Sequence, residues 1–199
     1  MERAEIPELH YITHINNVPS ILRHGILSNE QAAKLSPVSV AMTEVQARRS
    51  TRTIPRGRPI HSYACLYLHA RNPMLRKILN RHEELTVLRV SATALDIPGA
   101  IIADGNASSD YTRFYPSPDG LQNLQGALVL ARYWTSENPY EYMHKKRVRC
   151  AELLIPDRIP PELIVGAYVS CSNAQASISG TRFALPIAID HDFFFGAGV

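Results

Sequence analysis

Glu152 stands out in the sequence because it is a lone carboxylate inside the apolar run VRCAELLI, residues 148–155. The run predicts a β-strand, in which alternation puts Glu152 on one face and Arg149 on the other. Burying a carboxylate among apolar side chains is costly unless another group pairs with it. Glu152 is therefore a candidate for chemistry, with an ordinary salt bridge or a solvated sheet edge as the alternative.

Thr13 and His14 are two hydrogen-bonding residues at the end of an apolar segment that predicts a strand over residues 8–15. A helix is expected directly after them, since Asn16 or Asn17 can act as its N-cap and a proline falls in its first turn. Two polar side chains at this position have either a structural role or a place in the wall of a site.

The segment DGNASSDYTRFY, residues 104–115, predicts a loop with unusually small residues. Asp104, Gly105 and Asn106 favour a turn, and the small residues at 107–109 allow the backbone to approach another group closely. The segment is either a plain surface loop or a binding loop, since binding residues concentrate in loops.

Two clusters of basic residues are free of acids. Residues 48–58 contain five arginines, and residues 145–149 contain four basic residues in five, although the net charge of the chain is only +3. Such clusters suit a polyanion, because each cation that reaches a phosphate releases a counterion. A solvated basic loop is the alternative for each cluster.

The sequence lacks the standard signatures of several enzyme classes. A P-loop, GxGxxG, GxSxG and HExxH are all absent, which argues against the usual kinases, dinucleotide-binding folds, hydrolases and zincins. His10 and His14 are four residues apart, but on a strand that spacing spans two pleats. No metal site is therefore expected.

Composition predicts a single domain over residues 1–199. A chain of this length that is 45% hydrophobic can bury one core, and its apolar runs are too short to span a membrane. The three cysteines have no CxxC neighbour and suit reduced thiols, and the first ten residues lack the apolar part of a signal peptide. A cytoplasmic protein without a membrane partner is expected.

The secondary-structure pattern favours an α+β fold with a mixed or mainly antiparallel sheet. Further strands are predicted over residues 62–70, 85–92, 99–104 and 163–171, and Asn72 with Pro73 predicts the start of a short helix. The strands and helices do not alternate with the regularity of a doubly wound sheet.

Taken in order, five of these segments resemble the DarT family of bacterial toxins. They are YITHINNVPSILRHGIL, QARRSTRTIPRGRPIHSY, LYLHARNPML, ADGNASSDYTRFY and RVRCAELLIP. The resemblance implies an ADP-ribosyltransferase-like fold, with a split β-sheet core and short helices. It also implies a pentosyltransferase of a toxin–antitoxin system that takes ADP-ribose from NAD, modifies a base of single-stranded DNA, and is reversed by a macrodomain antitoxin.

The resemblance assigns roles to particular residues. Glu152 matches the catalytic glutamate, and His14, with Thr13 beside it, matches a histidine that helps to hold NAD. Asn17 matches an asparagine of the same motif. An arginine that engages NAD and the reacting centre is matched by one of the paired arginines, Arg49 in preference to Arg48, and both are expected at the cofactor site. The target base, thymidine or guanosine, is left open.

Position in these motifs also suggests residues that contact DNA. Arg113, Arg147 and Arg149 are expected to hold the DNA backbone near one rim of the cleft, because they lie in or beside the segments that carry Asp104 and Glu152. The aromatic residues Tyr111 and Phe114 are expected to stack on unpaired bases.

Two other functions fit the same residues. A nucleic-acid-binding module without activity would use the basic clusters and the aromatic residues, but it would have no use for Glu152. An ADP-ribosyltransferase that modifies RNA or protein would share the donor site and differ in its acceptor. Incubation with NAD and each class of acceptor separates these alternatives.

Overall fold

The computed structural model describes residues 1–198 as a large sheet surrounded by short helices. The strands are β1 (Glu8–His14), β2 (Ile26–Leu27), β3 (Tyr63–Tyr67), β4 (Leu85–Ser91), β5 (Ile101–Ala103), β6 (Phe114–Pro116), β7 (Glu152–Pro156), β8 (Arg158–Ile159), β9 (Ile164–Val169) and β10 (Ile187–Ile189). The α-helices are α1 (Val18–His24), α2 (Asn29–Ala32), α3 (Thr43–Ser50), α4 (Pro73–Lys77), α5 (Gly126–Val129), α6 (Pro139–Val148) and α7 (Ser172–Ser179). Short 3-10 helices cover Arg3–Glu5, Ile15–Asn17, Ala33–Leu35, Ile60–Ser62, Leu79–Glu84, Ala92–Asp96, Asp119–Asn123 and Pro161–Leu163.

Eight strands form one sheet in the order β10-β9-β4-β1-β3-β7-β5-β6, and β2 pairs with β8 separately. Neighbouring strands are antiparallel, except that β10 runs parallel to β9. The predicted α+β fold with a mainly antiparallel sheet is confirmed. Across residues 1–198, no helix is both long enough and apolar enough to cross a membrane.

The sheet is split between β1 and β3. β1 pairs with β4 along its whole length, from Glu8 opposite Ser91 to His14 opposite Leu85. On its other side, β1 meets β3 at a single register position, His10 opposite Tyr67. The two strands separate beyond that position, and the gap between them is where a cavity opens.

The two faces of the sheet differ in how they are covered. One face carries the main core, in which Val18 and Ile21 of α1 and Ala174 and Ile178 of α7 pack against the strands. The other face carries two smaller apolar clusters. One includes Ile12 of β1, and the other includes Leu154 of β7. This second face therefore has room for polar groups between its two clusters.

Local sequence signals explain several element ends. Asn72 accepts hydrogen bonds from the backbone of Met74 (2.9 Å) and Leu75 (3.1 Å), which caps α4 as predicted. Gly25 ends α1 with φ 83°, and a Cβ at this position would lie 2.2 Å from the Ile159 carbonyl oxygen. Only glycine fits there without displacing β8.

The predicted strand over residues 148–155 is wrong in its first half. Val148 ends α6, a turn follows, and β7 begins at Glu152. Backbone bonds from Arg149 N to Lys145 O and from Ala151 N to Val148 O continue the helical turn. Arg149 is therefore not on a strand, and the prediction that alternation places it opposite Glu152 fails.

Candidate active site

A cavity of about 380 Å³ occupies the gap between β1 and β3. Its floor and walls come from elements that are distant in sequence. The residues that matter below are Thr13, Asn16, Asn17, Arg49, Cys65, Tyr67 and Glu152, together with the exposed segment 36–41. The split in the sheet thus creates a pocket with a polar floor.

Glu152 lies in this floor and is 1% exposed. Its Oε1 atom accepts a hydrogen bond from Arg49 Nη1 (3.2 Å), and its Oε2 atom accepts one from Arg49 Nη2 (2.9 Å). The backbone N–H of Ala107 donates a third bond to Oε1 (3.0 Å). A buried carboxylate is stable only with such partners, and this fork-to-fork geometry fixes its orientation.

The electrostatics of the floor keep Arg49 charged. Burial disfavours the cation, but the Glu152 carboxylate outweighs that effect and holds the pKa of Arg49 above its ordinary value. Burial raises the pKa of Cys65 to about 11, so this thiol is neutral where Arg49 Nη2 contacts its Sγ at 2.9 Å. Burial and then Glu152 also raise the pKa of Tyr67, which keeps the phenol neutral.

The structure separates the paired arginines. Arg49 is the one buried residue of α3, and its side chain reaches Glu152. Arg48 lies on the exposed side of the same helix and is not in the cavity wall formed by the described residues. Adjacent residues point about 100° apart on a helix, so only one of the pair can face the cavity. The expectation that Arg48 also binds the cofactor is withdrawn for this reason.

The loop after β5 contacts Glu152, and its small residues make this close approach possible. Ala107 is fully buried, and its backbone N–H donates a hydrogen bond to the Glu152 carboxylate. At Gly105, an added Cβ would lie 2.6 Å from Arg147 Nη1 and 3.0 Å from the Arg147 carbonyl oxygen. Asn106 shapes the turn, because its Oδ1 accepts from Ser108 N (2.9 Å). This loop is part of the site.

The polar end of β1 divides between the two sides of the strand. Thr13 lines the cavity and accepts a hydrogen bond from Asn17 Nδ2 (3.1 Å). His14 is nearly buried but does not belong to the cavity wall that residues 1–198 form. Its Nδ1 accepts from Asn16 N (3.1 Å), and its Nε2 lies 3.5 Å from Glu84. These contacts shape the turn after β1, and the predicted role of His14 in holding NAD stays a prediction.

Asn17 occupies the N-cap position of α1, but its side chain does not cap that helix. Its amide instead bonds to Thr13 and to the backbone of Val38. The predicted N-cap is therefore correct in position and wrong in its side-chain partner.

The residues predicted to contact DNA lie in different environments. Tyr111 is 84% exposed, and Arg113 is also exposed, both on the loop that reaches Glu152. Phe114 is half-buried on β6 and packs against the apolar cluster that includes Ile54 and Ile60. Arg147 is paired with Asp104 at 2.6 Å and is largely shielded.

Arg149 is removed from the predicted DNA contacts. It is 1% exposed, and its Nη1 donates to the Val129 carbonyl (2.6 Å) while its Nη2 lies 3.1 Å from His69 Nδ1. A guanidinium held inside the fold in this way has no path to a DNA phosphate. The basic cluster at 145–149 thus contains a structural residue that composition could not distinguish.

Sequence reasoning missed Cys65, Tyr67 and Ala107 as parts of the site. Cys65 and Tyr67 alternate along β3 and so share a face, which the YACLY pattern indicates. Their approach to Glu152 depends on β3 pairing with β7, with Tyr67 opposite Glu152. That pairing of distant segments leaves no local signal in the sequence. Within residues 1–198, no three His, Cys, Asp or Glu side chains come together as a metal site.

Comparison with solved structures identifies the fold as that of DarT proteins. In fold, the chain is similar to Thermosipho africanus DarTG in complex with ADP-ribose, with a TM-score of 0.83, 31% identity, and coverage of 94% of this chain and 51% of that one. It is also similar to Thermus sp. 2.9 DarT in complex with ADP-ribosylated ssDNA, with a TM-score of 0.81, 25% identity, and coverage of 95% and 96%.

Residues 10–195 match the family described as ssDNA thymidine ADP-ribosyltransferase, DarT, and the chain belongs to this family. It is 32% identical over 199 residues to a DNA ADP-ribosyl transferase–DNA ADP-ribosyl glycohydrolase fusion protein of Thermosipho africanus, covering 94% of this chain. The chain spans about half of that relative, 49% of its length. A DNA ADP-ribosyl transferase of Thermus aquaticus is 26% identical over 190 residues, which are 89% of this chain and 82% of that protein.

Proposed function

We propose that this protein transfers ADP-ribose from NAD to a thymidine base of single-stranded DNA and releases nicotinamide. The observation that carries the proposal is the buried Glu152–Arg49 pair at the floor of the cavity in the split sheet. Membership of the DarT family supplies the substrate class.

The chemistry needs a fixed carboxylate at this position. Breaking the bond between the ribose C1′ and the nicotinamide nitrogen leaves positive charge on the ribose. Glu152 stabilises that charge, which exists only in the transition state, and this is the condition for catalysis. A base nitrogen then bonds to C1′ and loses its proton, for which Glu152 is the acceptor. Arg49 holds the carboxylate in position and offers a cation to the donor phosphates.

The donor is proposed to lie along the cavity between β1 and β3. Thr13 lines this cavity near the end of β1, and Tyr67 lies beside Glu152. NAD is a co-substrate in this proposal, and no metal takes part. The ADP-ribose complex named for the Thermosipho relative, which shares 31% identity, supports this assignment.

The acceptor is proposed to approach over the loop that carries Tyr111 and Arg113. The Ala107 N–H ties this loop to Glu152, and the Arg52–Asp110 ion pair (2.6 Å) ties it to the segment that follows α3. A base inside a duplex cannot present its ring atoms to a buried carboxylate, so a single strand is the expected substrate. Exposed Tyr111 offers a surface for stacking, and Arg113 offers a cation for the backbone.

We further propose that the chain is one catalytic domain and acts as the toxin of a toxin–antitoxin pair in the cytoplasm. The sheet draws strands from Glu8 to Ile189, which supports one unit. The Thermosipho relative is named as a fusion to a DNA ADP-ribosyl glycohydrolase, which supports a partner that removes the mark, such as a macrodomain antitoxin.

The decisive experiment is mass spectrometry of oligonucleotides after incubation with NAD. We expect one ADP-ribose on a thymidine of single-stranded DNA, with nicotinamide released in equal amount. Oligonucleotides without thymidine, double-stranded DNA, RNA and protein acceptors are run in parallel. Modification of guanosine would change the target base, and modification of RNA or protein alone would overturn the DNA assignment.

A further inference from the structure

The exposed segment 36–41, which we call the strap, forms one wall of the donor cavity. It leaves the 3-10 helix Ala33–Leu35 through Ser36, whose φ of 49° is left-handed, and Pro37 follows. All six strap residues line the cavity; residues 36–39 are exposed to solvent, and Val40 and Ala41 are half-buried. The position of this wall determines the shape of the cavity.

Asn17 joins the strap to the end of β1. Its Nδ2 donates to the Val38 carbonyl (2.9 Å), and Val38 N donates back to Asn17 Oδ1 (2.9 Å). The side-chain amide therefore pairs with the backbone of Val38 as a neighbouring strand would. Both hydrogen bonds of a pairing position are made by one side chain.

Thr13 fixes which way this amide points. Asn17 Nδ2 also donates to Thr13 Oγ1 at 3.1 Å. An amide nitrogen has two hydrogens, and these two bonds use both of them. Asn17 thus has no spare donor for a ligand unless it releases either the strap or Thr13.

Other hydrogen bonds of the strap are local. Ala41 N donates to Ser39 Oγ (3.3 Å), and Ser36 N donates to the Ala33 carbonyl at 3.4 Å. Among the described residues, the hydrogen bonds that connect the strap to β1 and its turn are those of Asn17. Val40 adds apolar contact with the cluster that includes Ile12.

We infer that Asn17 is a positioning residue that holds the strap as a preformed wall of the donor cavity, and that it acts on NAD through the strap and not by direct contact. The inference rests on the proposed function, since it takes NAD as the ligand of the cavity. When the strap is already ordered, NAD binding does not have to pay the conformational entropy of ordering its six residues. Loss of the Asn17 contacts should therefore weaken the affinity for NAD. The hydrogen bonds between Asn17 and Val38 do not involve Glu152 or the loop beside it.

The first test uses hydrogen exchange of the ligand-free protein and therefore needs no NAD. Asn17→Ala should remove the protection of the Val38 amide and accelerate exchange across residues 36–41. Exposed Asn123, away from the cavity, provides the matched control Asn123→Ala, which should exchange as the parent does. Unchanged exchange of the strap in Asn17→Ala would overturn the inference, whatever NAD does.

The second test compares KM for NAD with kcat in DNA modification. Asn17→Ala should raise KM about tenfold and leave kcat within about twofold, because only preorganisation of the donor site is lost. Asn17→Asp, which lacks both donors and places a carboxylate against the Val38 carbonyl, should do the same. A fall in kcat with KM unchanged would contradict the inference.

A third variant loosens the strap without touching Asn17. Pro37→Gly restores freedom to the strap backbone and should raise KM in the same way, even where Asn17 variants fold poorly. Raised KM in Asn17→Ala with normal strap exchange and a normal Pro37→Gly enzyme would assign direct donor contact to Asn17 and overturn the inference. A parent protein that binds no NAD would instead overturn the proposed function, and the exchange result would still stand.

Discussion

Arg49 and Glu152 are 103 residues apart in sequence and meet through two hydrogen bonds of 3.2 and 2.9 Å. Arg49 therefore occupies one lone pair on each carboxylate oxygen of Glu152 before NAD binds. Ala107 takes a second position on Oε1, which leaves Oε2 as the oxygen more open to a ribose hydroxyl. The pair is both a structural contact and the proposed reaction centre, and the predictions below separate these two roles.

Glu152→Gln should abolish DNA modification while the protein stays folded. The amide keeps the shape and one acceptor but cannot stabilise a ribosyl cation, so the rate should fall on the order of 10²–10³ or more. Single-turnover modification of an oligonucleotide, with circular dichroism as the check on folding, measures this. Near-parental modification by Glu152→Gln would exclude Glu152 as the catalytic carboxylate.

Removal of both charges should restore stability without restoring activity. Glu152→Ala leaves the buried Arg49 cation unpaired, which should lower the free energy of unfolding by about 3–5 kcal/mol. The double variant Arg49→Met with Glu152→Leu should recover most of that loss, because an apolar pair needs no charge partner. Urea denaturation measures both. A double variant that modifies DNA would show that the pair is only structural.

Arg49 and Arg48 should behave differently although they are neighbours. Arg49→Lys keeps the charge but loses the forked geometry to Glu152, and should reduce both NAD-dependent thermal stabilisation and turnover. Arg48→Ala removes an exposed charge and should change stability by less than about 0.5 kcal/mol. Thermal melts with and without NAD test the pair. Equal effects of the two variants would contradict the assignment of Arg49.

Arg113 should contribute to the salt dependence of DNA binding more than Arg147 does. Arg113 is exposed, whereas Asp104 already neutralises Arg147 at 2.6 Å. Arg113→Gln should therefore flatten the salt slope for single-stranded DNA by about 0.7, with a smaller change for Arg147→Gln. Binding titrations across a salt series provide the measurement, and an unchanged slope for Arg113→Gln would remove this residue from the DNA path.

Tyr111 should act by stacking and not by charge. Tyr111→Ala should weaken binding of single-stranded DNA by about 1–3 kcal/mol at every salt concentration, with the slope unchanged. Tyr111→Phe keeps the ring and serves as the matched control, with binding close to that of the parent. Equal binding by the alanine and phenylalanine variants would exclude stacking at this position.

His69 should make the fold sensitive to mild acid. Burial, followed by the nearby Arg149 cation, lowers the pKa of His69 from 6.5 to about 3. Below pH 6.5 the unfolded chain binds a proton that the folded chain refuses, so stability falls as the pH drops toward 3, by up to about 1.4 kcal/mol per pH unit. His69→Asn keeps an acceptor for Arg149 and does not titrate. Urea midpoints at pH 7 and pH 5 should differ less for this variant than for the parent.

Local signals in the sequence were sufficient for some elements and not for others. Asn72 followed by Pro73 predicted α4 correctly, and the same signal at Asn138 and Pro139 starts α6, where Asn138 accepts from Tyr140 N (2.9 Å). That second helix was missed because its last residue, Val148, opens an apolar run that also fits a strand. The end of a helix and the start of a strand share one hydrophobic segment here, and only tertiary contacts divide it.

In the candidate site too, some residues could be predicted from the sequence and others could not. Glu152 could be found from the sequence because a lone acid in an apolar strand needs a partner. The resemblance favoured Arg49 but did not separate it from Arg48, which only the burial of one side of α3 does. The burial of Arg149 could not be foreseen, because its partners are a carbonyl of α5 and a histidine 80 residues away. The strap contact of Asn17 was also hidden, since the sequence around residue 38 carries no signal for it.

β7 lies between β3 and β5 in the sheet and is later in the chain than either of them. A ribosome must therefore translate beyond Glu152 before the strand that carries the carboxylate can insert and join its two neighbours. Arg49 and Ala107, which both bond to Glu152, precede β7 in the chain and lack this partner until β7 is made. On the proposed mechanism, a nascent chain therefore cannot modify DNA before β7 has joined the sheet between β3 and β5.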